Sequence, residues 1–365
     1  MRTIVFTTLQ LSQPRCIKRI AAIADTGIPI KVYGFDSGLY NDNLNKLPFP
    51  VEKIIKRDKR VSKFKKIYFF ANVIYRILSE NKGGLFYFFG FELCSIAWLL
   101  GCREYIYEEA DVSASRIKSR LLKRIMLDYD RMLYRKAKLV VNTSEGFVKY
   151  LFPTDMVPKN IELQLNKLHP VFTDDTRRKI YVEPINEQHI KFGFVGLIRY
   201  PDTIIRFAKV IGKEFPMHEF HFYGEPEVPD YIDDELKSYK NVFLHGRFKN
   251  PQDLQAIYES IDVSIVCYDV QSDNVRIAEP NKFYESIYFK TPLVVSKNTF
   301  LAEKVEELGV GYAINCADDK EIAVFINSIS SVDFSKKQEY MNLIPTDGLI
   351  DNPSKMITKI KDIIQ

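Results

Sequence analysis

The sequence predicts an α/β protein built from two Rossmann-like domains in tandem. Short runs rich in β-branched and aromatic residues alternate with amphipathic helical segments, and this rhythm begins afresh near residue 189. Strands that alternate with helices form parallel sheets that are covered by helices on both faces. A chain of 365 residues is also about two domains long, so we expect one sheet in each half.

The first half carries five candidate strands separated by helical segments. The strands are TIVFTT, IKVYGF, LFYFFG, EYIYEE and KLVVNT, at residues 3–8, 30–35, 85–90, 104–109 and 138–143. Amphipathic segments between them cover residues 13–26, 60–80 and 113–136. In the second of these segments, three- and four-residue spacing predicts one apolar stripe, which consists of Val61, Phe64, Ile67, Ala71, Ile74 and Leu78.

The second half repeats the pattern and sets the domain boundaries. Its candidate strands are HIKFGFVG, EFHFYG, NVFLHG, DVSIVCY, PLVVS and GYAIN. We predict a first domain over 1–173, a polar linker without a consistent period over 174–189, a second domain over 190–345 and a C-terminal helical tail over 346–365. The tail contains SKMITKIKDIIQ after the helix-start signal DNP, and we expect it to cross back to the first domain.

Composition indicates a globular protein of the cytosol. Hydrophobic residues make up 46% and charged residues 27%, which suits an ordinary core in each domain. The longest apolar run, residues 86–101, is interrupted by Glu92 and is shorter than the roughly 20 residues of a membrane span. The N-terminus lacks the features of a signal peptide. The five cysteines show no spacing typical of a metal site or a disulfide framework, and we expect them to be reduced and mostly buried.

The two halves carry opposite net charge. Residues 1–170 contain 29 Lys plus Arg against 16 Asp plus Glu, or +13, and the remainder contains 23 against 31, or −8. Two basic segments, 53–66 and 116–138, are typical of helices that lie on an anionic membrane surface, although solvated helix faces have the same composition. Nucleic acid is not expected as a partner, because no binding motif is present and the acidic half would repel a polyanion.

The stretch AEPNKFYESIYFKTPLVVS, residues 278–296, begins a helix with unusual polar chemistry. Pro280 suits a first helical turn, where its missing N–H would have no partner. Asn281 and Lys282 then lie where free backbone N–H groups attract a phosphate, and Glu285 lies one turn further along on the same face. A carboxylate there can bind the two hydroxyls of a ribose, so the stretch predicts a nucleotide-diphosphate site. A solvated helix start with a Lys–Glu pair fits the same residues.

A longer series of segments resembles a known enzyme family. IKFGFVGLIRYPDTIIRFAKVI, FHFYGEPE, NVFLHGRFKNPQDLQAIYESIDVSIVCY and PNKFYESIYFKTPLVVSKNTFLAEKVEELGVGYAI occur in this order from residue 190 to about 315. The series resembles the nucleotide-sugar half of retaining glycosyltransferases of the B fold, closest to the family-four-like group that builds bacterial surface polysaccharides. The resemblance implies a deep cleft between the two domains, a UDP- or GDP-linked sugar as donor, and no further cofactor.

The resemblance assigns roles to two glutamates. In that family, the second Glu of a Glu-x7-Glu motif holds the ribose, and Glu285 matches it. The first Glu of the motif lies near the donor sugar, but Ile277 occupies its position here. Glu279, two residues out of register, is therefore the candidate catalytic residue next to the donor sugar.

The diphosphate and the nucleobase have their own candidates. The family has an Arg after the Gly of its FVG strand, where this chain has Leu197. We assign the diphosphate to Arg199 and Lys282, because its charge requires cations in a partly desolvated site. The loop HGRF corresponds to the family's base-flanking segment, so Arg247 and Phe248 are expected to contact the base. Arg199 also fits a solvent-exposed loop, and Phe248 also fits the core.

The acceptor side is less marked. YIYEEADVS resembles the family's acceptor-side strand end, with Ala110 where a His is common, so Glu109 and Asp111 are candidate catalytic residues that contact the acceptor or the donor sugar. Both also fit ordinary strand-end positions. Arg15, after the first strand, is a further phosphate or acceptor candidate. No Asp-x-Asp metal motif precedes a loop, so we predict metal-independent transfer in which the leaving phosphate accepts the acceptor's proton.

These features predict a glycosyltransferase that is bound peripherally to the inner face of the cell membrane. It would transfer a sugar from a nucleotide-diphosphate donor to a lipid-diphosphate-linked or oligosaccharide acceptor in surface polysaccharide synthesis, with retention of configuration. Two alternatives stay open. One is an epimerase or phosphorylase on the same fold, and the other is a non-catalytic scaffold subunit that binds sugar nucleotides.

Overall fold

The chain folds into two compact units. The computed structural model describes residues 1–36, 47–56, 63–153, 156–173 and 184–365. The first unit comprises Met1–Leu165 together with Asn352–Gln365, and the second comprises Asn166–Asp351. Each unit contains one parallel sheet with helices, which confirms the expected α/β class with two Rossmann-like domains.

The first unit is built on a seven-stranded sheet. Its strands are β1 (Ile4–Thr8), β2 (Ile30–Asp36), β3 (Lys53–Lys56), β4 (Leu85–Phe89), β5 (Tyr105–Glu109), β6 (Leu139–Asn142) and β7 (Ile161–Leu163). They pair in parallel in the order β3-β2-β1-β4-β5-β6-β7. The edge strands β3 and β7 were not predicted, because their sequences, KIIK and IEL, mix charged with apolar residues and lack the continuous apolar run of a buried strand.

Five helices connect these strands. They are α1 (Pro14–Ala24), α2 (Lys63–Glu80), α3 (Phe91–Leu99), α4 (Arg120–Lys136) and α5 (Glu145–Leu151). The central strands β1, β4, β5 and β6 are buried along their whole length, as expected for a parallel sheet with helices on both faces.

Helix α2 follows the predicted stripe in its later part, where Ile74 is buried and Ala71 and Leu78 are half-buried, while Val61 lies outside the described residues. Ile74 and Ile77 are buried, whereas Ile67, placed in the stripe by its spacing, is 60% exposed. Phe70 packs edge-on against Phe35 of β2, with ring centroids 5.0 Å apart. The ring of Phe35 therefore gives α2 an aromatic contact at Phe70, which lies beside the predicted stripe.

The second unit is built on a six-stranded parallel sheet. Its strands are β8 (Lys191–Val195), β9 (Glu219–Tyr223), β10 (Val242–Gly246), β11 (Val263–Val266), β12 (Leu293–Ser296) and β13 (Gly311–Ile314). They are ordered β10-β9-β8-β11-β12-β13. All six strands were predicted, because each is an apolar run bounded by polar or glycine-containing loops.

In the described residues after β7, nine further α-helices are present. They are α6 (Pro201–Glu214), α7 (Asp234–Ser238), α8 (Leu254–Glu259), α9 (Asp273–Ile277), α10 (Asn281–Phe289), α11 (Phe300–Leu308), α12 (Asp319–Ser328), α13 (Ser331–Leu343) and α14 (Ser354–Ile364). Helices α6 to α13 belong to the second unit, and α14 returns to the first. Its Met356, Ile360 and Ile364 are buried in the first unit's core.

The ends of the units differ from the predicted boundaries. Residues 166–173, predicted as the end of the first domain, belong to the second unit. The reason is that Phe172 packs against Tyr288 and Phe289 of α10, with ring centroids 5.4 and 5.5 Å apart. Of the predicted linker, residues 174–183 lie outside the described residues.

Two absences concern the described parts of the chain. No helix there is both long and apolar enough to cross a membrane. No group of His, Cys, Asp or Glu side chains within the same ranges is arranged to hold a metal ion. All five cysteines are buried, and none forms a disulfide.

Candidate functional site

The strand order of the second unit identifies where a ligand is expected. Strands β8 and β11 are neighbours, but the chain runs outward from β8 to β9 and β10 before it returns to β11. Open parallel sheets bind ligands at such a switch point, beyond the carboxyl ends of the two strands. Here the turn at Gly196 follows β8, and α10 begins after the connection from β11. The predicted site residues on α10 therefore belong to the switch point.

The turn after β8 allows a close approach that only glycine permits. Gly196 has a φ of +132°, and a Cβ atom built on it would lie 2.7 Å from the Nζ of Lys282. A Cβ on Gly224, after β9, would lie 2.0 Å from the carbonyl oxygen of Gly196. The two glycines thus bring backbone and a lysine ammonium together at the edge of the sheet.

Lys282 is a buried cation at this turn. Its side chain comes from the first turn of α10, is 7% exposed, and places Nζ 5.0 Å from the centroid of the Phe194 ring. Among the described residues, no carboxylate lies within ion-pair distance of it. Burying a charge without a counter-ion is unfavourable. The ring of Phe194 offsets part of this cost, and an anionic ligand at the start of α10 would offset much more.

Two hydrogen bonds between described residues hold the carboxylate of Glu285. The hydroxyl of Tyr258, at the end of α8, donates to Oε2 over 2.9 Å, and Nδ2 of Asn281 donates to Oε1 over 2.5 Å. The carboxylate is 3% exposed. The structure thus brings Asn281 and Glu285 together as the spacing predicted, but it directs the amide of Asn281 to the carboxylate. Pro280 is the N-cap of α10 rather than its first residue.

Tyr258 is a site residue that the sequence did not indicate. Its ring is buried and stacks on Phe289, with centroids 5.0 Å apart. Burial and the neighbouring Glu285 carboxylate raise the pKa of its hydroxyl well above the usual value, so it stays a donor. An isolated tyrosine in an amphipathic helix is indistinguishable from a core residue, so no pattern could have revealed this contact.

Glu279 is buried and forms an ion pair. Its Oε2 lies 2.9 Å from Nζ of Lys304 on α11, and its Oε1 accepts a hydrogen bond from the hydroxyl of Tyr284. The residue is 2% exposed. Nearby, burial lowers the pKa of Lys167, an effect that the Asp351 and Glu279 carboxylates oppose. The structure therefore surrounds Glu279 with protein groups, and its contact with a donor sugar stays a prediction.

The two predicted arginines lie on the surface. Nε of Arg199 is 3.5 Å from Oε2 of Glu227, and Nε of Arg247 is 2.6 Å from Oε2 of Glu225. Both are exposed pairs, which contribute little to stability and can exchange partners readily. Phe248 is half-buried. Contacts of these three residues with a diphosphate or a base stay predictions.

On the first unit, Glu109 lies in a buried cluster. The carboxyl group is fully enclosed and accepts hydrogen bonds from the hydroxyls of Tyr107 and Tyr134. The same Tyr107 hydroxyl lies 3.2 Å from an oxygen of Asp130 on α4. Burial, followed by the charge of Asp130, raises the pKa of Glu109 well above its usual range, and burial raises the pKa of Asp130 to about 7. Asp111, by contrast, is at the surface, with its carboxylate 4.0 Å from Arg116.

The opposite side of β5 carries a second buried carboxylate. Glu108 lies 3.0 Å from Nε of Arg19 and 3.5 Å from Nε of Arg15, and it accepts a hydrogen bond from Tyr87. Arg15, the weaker sequence candidate, is thus placed beside a carboxylate that Arg19 already neutralises.

Comparisons with known proteins agree with this architecture. No protein-family model matches the chain. The succinoglycan biosynthesis protein ExoL of Rhizobium meliloti is 20% identical over 244 residues, which are 65% of this chain. The chain spans 60% of the length of that curated relative.

Two solved structures share the fold over nearly the whole chain. HepE of Anabaena, in complex with UDP and glucose, is 14% identical, with 99% of both chains covered and a TM-score of 0.69. WaaG, a glycosyltransferase involved in lipopolysaccharide biosynthesis, is 13% identical, with 99% of both chains covered and a TM-score of 0.64. These similarities confirm the expected B fold of two Rossmann-like domains.

Proposed function

We propose that this chain is a glycosyltransferase of surface polysaccharide synthesis. It would transfer a sugar from a nucleotide-diphosphate donor, linked to UDP or GDP, to a lipid-diphosphate-linked or oligosaccharide acceptor. The observation that carries the proposal is Lys282, a buried ammonium without a described carboxylate partner at the switch point of the second sheet. A diphosphate is the anion that this position, on the first turn of a nine-residue helix, suits best.

The second unit would bind the donor. Lys282 and the first N–H groups of α10 would hold the diphosphate, and Glu285 would accept hydrogen bonds from the ribose. Arg199 would exchange its exposed partner Glu227 for a phosphate oxygen, and Arg247 and Phe248 would flank the base. The similarity to HepE, whose structures contain UDP and UDP-glucose, supports a uridine nucleotide as the first donor to test.

Transfer would use the charge of the same residues. The bond between the sugar and the diphosphate breaks, negative charge develops on the leaving phosphate, and Lys282 with the helix start stabilises that charge without a metal ion. With retention of configuration, the leaving phosphate oxygen takes the proton of the acceptor hydroxyl. Glu279 remains our candidate next to the donor sugar. On the acceptor side we favour Asp111, which is exposed, over Glu109, which is enclosed.

The first unit would meet the acceptor at a membrane surface. At the start of α4, Leu121, Leu122 and Ile125 are 69%, 58% and 56% exposed, and the cations Arg120 and Arg124 lie among them. An apolar ridge flanked by cations suits the boundary of an anionic bilayer, with about 1 kcal/mol for each nearby cation. This supports the predicted segment 116–138. Of the other segment, 53–66, residues 57–62 lie outside the described residues.

Nucleotide binding tests the donor site directly. The melting temperature is measured with UDP, GDP, CMP and their sugar conjugates, since a ligand at 100 times its Kd stabilises by about 2.7 kcal/mol. Lys282→Met should weaken donor binding by at least tenfold and leave the free protein as stable as the wild type or more stable, because it removes an uncompensated buried charge. Lys297→Met, which removes an exposed lysine paired with Glu321, is the control.

The results separate the alternatives. No stabilisation by any nucleotide would sink the proposal for the second unit. Binding without turnover, with or without extracted lipid acceptor, would favour the scaffold, and release of an epimerised or phosphorylated sugar would favour the other enzymes. A Lys282→Met protein that is less stable but binds normally would give the lysine a structural role only.

Vesicle binding tests the membrane surface. The protein is sedimented with phosphatidylcholine vesicles that contain or lack phosphatidylglycerol. We expect binding only to the anionic vesicles, and we expect Leu121→Ser with Leu122→Ser to reduce it strongly. Leu99→Ser, a change at a leucine of α3 that is 70% exposed, is the matched control. Equal binding of the double variant would contradict the role of the ridge.

A further inference from the structure

Two hydrogen-bond donors on different helices of the second unit orient the carboxylate of Glu285. Tyr258 reaches it from α8, and Asn281 reaches it from one turn earlier on α10. The two donors address different oxygens, so together they fix both the position and the rotation of the carboxylate plane. A carboxylate oxygen can accept two hydrogen bonds, so this arrangement is compatible with a ligand diol on the same group.

Tyr258 is itself held rigidly. Its ring stacks on Phe289 at an interplanar angle of 14°, and its backbone carbonyl accepts a hydrogen bond from the hydroxyl of Thr291 over 3.5 Å. Phe289 and Glu285 belong to the same helix, so the ring contact and the hydroxyl contact lock α8 to α10. A group held in this way keeps its geometry without cost when a ligand binds.

We infer that Tyr258 and Asn281 are positioning residues that orient Glu285 for the two hydroxyls of a nucleotide ribose. The inference rests on the proposed function and adds a specificity to it. A carboxylate fixed for two adjacent hydroxyls gives up a hydrogen bond when one hydroxyl is missing, so the site discriminates ribonucleotides from 2′-deoxyribonucleotides. Tyr258 acts on this discrimination only through Glu285 and does not touch the ligand.

The test compares UDP with 2′-deoxy-UDP by calorimetry on the full chain. Wild type should bind UDP more tightly. Tyr258→Phe should weaken UDP about tenfold, the loss expected for one hydrogen bond to a charged group, and should change 2′-deoxy-UDP much less. Tyr105→Phe is the matched control, because Tyr105 is a buried tyrosine of the first unit whose hydroxyl donates to the carbonyl of Leu133 over 2.8 Å. It should leave both affinities unchanged.

Two outcomes overturn the inference. Tyr258→Phe either binds UDP like the wild type, or loses UDP and 2′-deoxy-UDP by the same factor, which would mean that Tyr258 only packs the site. If Tyr258→Phe does not fold, Asn281→Ala replaces it at a half-exposed helix start, and absence of a UDP-selective loss there is equally decisive against the inference. If the wild type binds UDP but Tyr258→Phe does not change the preference for UDP over 2′-deoxy-UDP, the inference falls and the proposed function stands. If it binds neither UDP nor GDP, both fall.

Discussion

Lys282 and Lys304 are two lysines of the second unit whose ammonium groups have different surroundings. Lys304 forms an ion pair with Glu279 over 2.9 Å, whereas Lys282 faces an aromatic ring and the turn at Gly196. The first arrangement is complete without a ligand. The second is not, and this contrast is why we assign the diphosphate to Lys282 and regard the Glu279 pair first as a structural element.

The Glu279 pair makes a prediction about stability. Glu279→Gln removes the carboxylate that pairs with the largely buried ammonium of Lys304, so we expect the free energy of unfolding to fall by about 3 kcal/mol in urea denaturation. Adding Lys304→Met to that variant should restore most of the loss, because the lysine charge that Glu279 stabilised is then removed as well. Glu321→Gln, which breaks an exposed pair with Lys297, is the control and should cost less than about 1 kcal/mol.

A Glu279→Gln protein as stable as the Glu321→Gln control would contradict this account. Glu279 would then contribute little to the free energy of unfolding, and its candidate role beside the donor sugar would become the main reason for its presence. If the double variant is stable and still binds UDP but no longer transfers sugar, Glu279 has both a stabilising role and a role beside the donor sugar.

At the scale of elements, β5 and α4 share a pair of carboxyl groups inside the first unit. Glu109 and Asp130 are both buried, and the Tyr107 hydroxyl lies 3.2 Å from an oxygen of each of them. Burial raises the pKa of both carboxyl groups, and the pKa of Asp130 reaches about 7. A raised folded-state pKa means that the protonated form is favoured, so these groups stabilise most below their unfolded pKa values near 4.

The first unit should therefore lose stability as the pH rises from about 4 through 7. The measurement is urea denaturation followed by the fluorescence of Trp98, which is the one tryptophan of the chain and packs against Tyr129 of α4. Asp130→Asn removes the titrating group, so its stability relative to wild type should improve by ~2–4 kcal/mol between pH 5 and pH 8. Asp128→Asn, at an exposed position of the same helix, should show no such trend. Parallel curves for all three proteins would contradict the prediction.

At the scale of the whole molecule, the C-terminal helix α14 is part of the first unit, which is otherwise formed by residues 1–165. Met356, Ile360 and Ile364 of α14 complete the first unit's core, and Lys359 lies 2.7 Å from Glu162 of β7. The chain must therefore be complete to residue 364 before the first unit reaches full stability. This coupling concerns the first unit alone.

Removing one side chain of α14 tests that dependence. Ile360→Ala should destabilise the first unit by about 2–5 kcal/mol, because the residue is fully buried. Trp98 fluorescence reports this loss, and UDP binding should be unaffected because the candidate donor site lies in the second unit. Lys361→Ala, one exposed position further on, should change little. Equal melting of the two variants would show that α14 is not part of the core.

Much of the fold follows from local pattern. Each predicted strand was visible because a buried parallel strand must be a continuous apolar run, and the helix start at Pro280 was visible because proline restricts the backbone on its own. The edge strands β3 and β7 were missed because each mixes charged with apolar residues and is only partly buried. The contact of Phe70 on α2 with Phe35 was not predicted, because Phe35 lies about 35 positions earlier, at the end of β2.

The sequence by itself determined the two α/β units, the order along the chain of every strand except β3 and β7, and the polar start of α10, since these depend on burial periodicity and backbone restriction within a few residues. Only the tertiary structure decided which partners the polar groups have. It paired Glu279 with Lys304, gave Asn281 and Tyr258 to Glu285, enclosed Glu109 beside Asp130, and left Lys282 at the turn of Gly196. Hydrogen bonds and ion pairs form between atoms a few ångströms apart. Apart from Asn281 and Glu285, which are one helical turn apart, packing brings these groups together from residues about 20 to 90 positions apart in the chain.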